Sequence, residues 1–93
     1  MAIQQQQTIK VEQRFLQASS VARNLQMAIR RGSFNDRQFE NALVTLETLP
    51  LATDEFDLAQ SRVRNAADFS AKHEYGAASY ELTLLANWLK TRA

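Results

Sequence analysis

The stretch GSFNDRQFENALVTLETLP, residues 32–50, contains two helix stops with a helix start between them. With Asn35 as N-cap, Gln38 falls at N3, while Phe34 and Phe39 fall at N′ and N4. These are the positions of a capping box and a hydrophobic staple. Phe39, Ala42, Leu43, Leu46 and Leu49 then recur at helical spacing, so one face of the segment is apolar. Pro50 closes it, because proline lacks the N–H and its ring clashes with the preceding turn. The pattern predicts a helix over 35–49.

Upstream, Val11, Phe15, Ala18, Ala22, Leu25 and Ile29 follow one another in steps of four and three, the signature of one helix stripe. Arg30 and Arg31 supply cations at the negative end of the helix dipole, and Gly32 supplies the stop. The predicted helix, 8–31, would be about 36 Å long. Residues 1–7, with glutamine at 4–7, read as a disordered polar tail ahead of a single helical domain over 8–93. On the other side of this helix Ile9, Leu16 and Met27 share a second, sparser apolar line.

Downstream, Thr53 is placed to cap a third helix over 54–73, and Asp54, Glu55 and Asp57 favour its positive end. That role, rather than a cation site, is the reading of these carboxylates, since no glycine-centred loop of spaced oxygens accompanies them. Phe56, Ala59, Val63, Ala66 and Phe69 give the buried face. In a fourth helix, over 76–91, Tyr75, Ala78, Leu82, Leu85 and Leu89 form one stripe, with Ala77, Leu84 and Trp88 in a second beside it. Together they span an arc of roughly 200°, twice what a helix packed on one side needs. Glu81 interrupts the arc, and Ser79, Thr83, Asn87 and Lys90 mark the expected wet side. Such a helix is either central to a bundle or part of an interface. Trp88, Leu84, Ala77, Tyr80, Ile9, Leu16 and Met27 are the candidate interface residues.

No stretch alternates apolar and polar residues as a strand does, and two glycines and one proline leave room only for short turns. The fold class is therefore all-α, with antiparallel neighbours in a four-helix up-down bundle. Ninety-three residues support one modest core, for which help from a partner chain is expected.

Eleven Lys and Arg balance ten Asp and Glu, a formal charge of +1. Lys10, Arg14, Arg23, Arg30 and Arg31 spread around their helix, so the charge pattern argues against nucleic acid as a partner. With no cysteine, thiolate chemistry and disulfides are excluded. No apolar run reaches the ~20 residues of a membrane span, and a cytoplasmic address is expected. The one histidine, His73, stands beside Glu74 and Tyr75, but neighbours on a helix point about 100° apart and do not converge on a substrate. No nucleophile elbow, phosphate-cradling loop or ligand cluster accompanies it. No catalytic residue, metal site or cofactor is expected.

The segment from Phe69 to Ala86 resembles the second half of a tetratricopeptide repeat: Phe69, Tyr75, Ala78, Leu82 and Leu85 fall at matching intervals, with small Ala66 upstream. His73 stands where that family has glycine before the turn aromatic, and glycine comes instead at Gly76. No 34-residue period links the segment to FENALVTLETLP. The resemblance implies stacked helical hairpins as an alternative architecture, protein or peptide binding as the activity, and no catalytic residues.

The expected function is a non-catalytic protein-interaction module, an adaptor or regulator that self-associates as a homodimer or larger. A helical nucleic-acid-binding regulator and a small-ligand-binding protein are the alternatives.

Overall fold

The computed structural model describes residues 2–93, and their side chains from Val11 onward. Four helices follow in order: α1 (Ala2–Arg31), α2 (Asp36–Glu47), α3 (Thr53–Ala71) and α4 (Tyr75–Thr91). No strand occurs among the described residues. Each helix packs on its neighbours in the chain, and α4 returns to α1, closing the ring of an up-down bundle.

The junction between α1 and α2 forms as its residues dictate. Gly32 takes φ 72°, its N–H reaches Ile29 O, and the Ser33 N–H reaches Ala28 O, which together make a Schellman stop. Asn35 Oδ1 accepts from the Gln38 N–H at 3.1 Å, and Gln38 Oε1 accepts from the Asn35 N–H at 2.8 Å. The staple is present too, with the Phe34 and Phe39 rings edge to face at 6.0 Å.

The boundaries of α2, α3 and α4 lie within two residues of expectation, α2 ending at Glu47 and α3 at Ala71, each two residues early. Two helix starts differ for a physical reason. α1 begins at Ala2 and takes in the glutamine run that the pattern sets apart as a polar tail. Glutamine is a good helix former, and neither glycine nor proline separates it from Thr8. α3 is capped at Ala52, and Thr53 sits one residue inside the helix. Here the Glu55 carboxylate reaches back and accepts the Ala52 N–H at 3.1 Å, so a cap side chain is not required. That bond and then the Arg92 guanidinium hold the Glu55 carboxyl below the usual carboxylate range.

The core is one cluster drawn from all four helices, in which Ile29, Leu46, Val63, Leu82 and Leu89 are the largest fully buried side chains. α1 and α4 run antiparallel in a defined register. The Ser19 hydroxyl donates to Ala86 O at 2.8 Å, and Gln26 Nε2 donates to Ser79 Oγ at 3.0 Å. Extended, this register sets Thr91, the last residue of α4, across from Arg14, so α1 residues before Arg14 run past the end of α4. Val11, expected on the buried stripe, is accordingly 36% exposed, whereas Phe15, one turn further in, is buried under the Arg92 guanidinium.

The wide apolar arc of α4 is resolved by its place between α1 and α3. Ser79, expected on the wet side, is buried and faces Gln26 of α1. Glu81 meets Arg62 of α3 at 2.7 Å. The one polar interruption of the arc, Glu81, and one residue of the expected wet side, Ser79, are thus helix–helix contacts.

Candidate protein-interaction surface

The seven candidate interface residues fall into three places. Leu84 and Trp88 come together between α4 and α3, where they join Leu58, Ala59, Arg62 and Leu85 around a groove of about 190 Å³. Ala77, two turns before Leu84 on the same line, is half-buried. Tyr80, 63% exposed, is on the other side of α4, beside Arg30, Gln26 and Thr83. Leu16 and Met27 are exposed on the outside of α1 at 46% and 39%. The side chain of Ile9 lies outside the described residues.

The groove on α3 and α4 is the most apolar of these surfaces. Ala59 and Leu85 are buried in its floor, Leu84 and Trp88 are half-buried on one wall, and Leu58 stands 58% exposed on the other. The Arg62–Glu81 pair closes one end. At the other, Arg92 lies 5.6 Å over the Trp88 ring and pairs with Glu55, clamping the indole from the solvent side. Trp88 therefore belongs partly to the core, against which it packs, and partly to an open apolar wall. Of the residues lining this groove, the sequence singles out Trp88 and Leu84 as candidates but not Leu58. Its signal was present: Leu58 lies off the stripe of Phe56, Ala59 and Val63, on a face otherwise polar.

His73 sits in the turn between α3 and α4 with φ 61°, exposed, its Nδ1 2.8 Å from the Tyr75 hydroxyl. Its ring lies edge to face with Tyr75, which in turn meets Phe34 at 5.7 Å. The geometry is that of a helix stop, with the His73 N–H bonded to Ser70 O and the Glu74 N–H to Phe69 O. Among the described residues, no three His, Asp or Glu gather as a metal would need. No described helix is long and apolar enough to cross a membrane.

The chain matches no protein-family model, no curated protein and no solved structure.

Proposed function

We propose that this chain is a small non-catalytic interaction module that takes a partner protein, or a copy of itself, on the α3–α4 groove. The observation carrying this reading is the pairing of exposed Leu58 with half-buried Trp88 over a floor of Ala59 and Leu85. An aromatic anchor beside an open aliphatic wall gains most when a second surface removes both from water. The tetratricopeptide-like intervals from Phe69 to Ala86 point to the same class of activity. Trp88, the only tryptophan, reports on the groove directly. Its emission should shift to the blue when a partner seats there, and Trp88→Ala should weaken that assembly while leaving the chain helical by circular dichroism. An assembly unchanged by Trp88→Ala, with a collapsed melting temperature, would make Trp88 a core residue alone and end this reading.

A further inference from the structure

The near-zero net charge conceals a separation. α1 and α4 carry six Lys and Arg against two Glu, a surplus of four positive charges. α2 and α3 carry three Arg against seven Asp and Glu, a surplus of four negative charges. Since α4 packs on α1 and α2 packs on α3, the two surpluses occupy opposite sides of the bundle.

Within each side one exposed stripe concentrates the effect. On α1, Arg23, Met27 and Arg30 follow at steps of four and three, and all three are exposed. As a set the five basic residues of α1 do spread around the helix, but Arg23 and Arg30, seven apart, fall within about 20° of one line. On α2, Glu40, Val44 and Glu47 repeat the same steps, again all exposed, with Val44 at 56%. Each stripe is a charge, an apolar side chain and a like charge, and in each the two charges are about 10.5 Å apart along the helix. One is basic and the other acidic. Among the described residues the ion pairs are Arg62–Glu81 and Arg92–Glu55, so none of these four charges pairs with a described side chain of its own copy.

We propose that the occupant of the α1 stripe is the α2 stripe of a second copy, with Arg23 and Arg30 meeting Glu40 and Glu47 around a Met27–Val44 contact. This rests on the reading of the chain as an interaction module and names a copy-to-copy contact separate from the Trp88 groove. The stripes cannot meet within one molecule. Arg23 and Arg30 border the cleft between α1 and α4, whereas α2 faces α1 with Gln38 and Asn41. The contact is therefore heterologous, one patch to a different patch, and such contacts add copies head to tail instead of closing as a two-fold dimer. Exposed ion pairs are individually weak and screened by salt, so the association is loose and strongly salt-dependent.

The test is a charge swap read by sedimentation and light scattering over a hundredfold concentration range. At low salt the mean mass of the wild-type chain should climb past that of a dimer. Salt near 1 M, where the Debye length is about 3 Å, should weaken the association about tenfold or more. Arg23→Glu with Arg30→Glu should lose the salt-sensitive association, and so should Glu40→Arg with Glu47→Arg, since each then faces itself with like charge. Mixed, the two variants should regain the assembly. If either reversal perturbs helicity, Arg23→Gln with Arg30→Gln serves in its place and should also lose the salt-sensitive association. Trp88→Ala should retain the salt-sensitive association, which separates this contact from the groove. The proposal is overturned by a wild-type chain that stays monomeric at low salt, by swapped variants that associate as the wild type does, or by a mixture that stays monomeric. A wild type that remains monomeric but binds an added polyanion overturns it equally and assigns the basic side to that ligand.

Discussion

The bundle turns twice at the same end, once between α1 and α2 and once between α3 and α4, and the two turns are made of different materials. Both end a helix with a Schellman motif and a residue in the left-handed region. In the first that residue is Gly32, followed at once by the Asn35–Gln38 capping box and the Phe34–Phe39 staple. In the second it is His73, and α4 then starts at Glu74 with no side-chain cap. The first turn is specified by the residues within it. The second is held by what it touches: Phe34 across the gap, the Arg62–Glu81 pair, and the buried length of α4 between two helices. A turn can thus be fixed from a distance, and the two modes should respond to mutation in opposite ways.

Phe34 is the side chain common to both turns, stapling α2 and meeting Tyr75. Phe34→Ala should have the largest effect, a loss of roughly 2 kcal/mol by urea unfolding, below the range for a fully buried phenylalanine because this ring is half-buried. A loss under about 0.5 kcal/mol would mean the two turns are not coupled through it. Gly32→Ala should cost about 1–2 kcal/mol, from the left-handed backbone alone, since no atom lies within 4 Å of where the new Cβ would stand. Asn35→Ala should cost about 1 kcal/mol through loss of the cap. His73→Gly should do the reverse and raise stability by about 0.5 kcal/mol, the relief of backbone strain exceeding glycine's extra unfolded-state entropy. A destabilised His73→Gly would show that the His73–Tyr75 contact outweighs the strain, and would make the second turn as locally specified as the first.

The same division explains what was legible in the sequence. The start of α2, the stop at Gly32 and the wide apolar arc of α4 depend on periodicity and on residues three to five apart, and all were readable, although the arc alone left open whether α4 is central or at an interface. The burial of Ser79 was not, because its partner Gln26 is 53 residues away. Nor was the pairing of Glu81 with Arg62, which turns a break in an apolar arc into a seam. The exposure of Val11 depends on where α4 ends, a fact of register rather than of helix spacing. For the candidate surface, Trp88 and Leu84 stood out because they widened the arc of one helix. Leu58 needed the neighbouring helix to acquire meaning. The charged stripes on α1 and α2 did not stand out in the sequence, because taken together the basic residues of α1 spread around the helix and the exposure that singles out Arg23 and Arg30 depends on the bundle.

The α1–α4 register has a consequence for how the chain is made. Ser19 finds Ala86, and Gln26 finds Ser79, only after the last helix exists. During synthesis the first three helices can form and turn in order, but the α1 face bearing Phe15, Ala22 and Ile29 stays open until α4 leaves the ribosome. The nascent chain therefore carries an uncovered apolar seam until α4 emerges, a period in which such surfaces are prone to aggregate. A chaperone that binds extended apolar helix faces should hold nascent chains from which α4 has not emerged and release those from which Tyr75–Thr91 has cleared the ribosome.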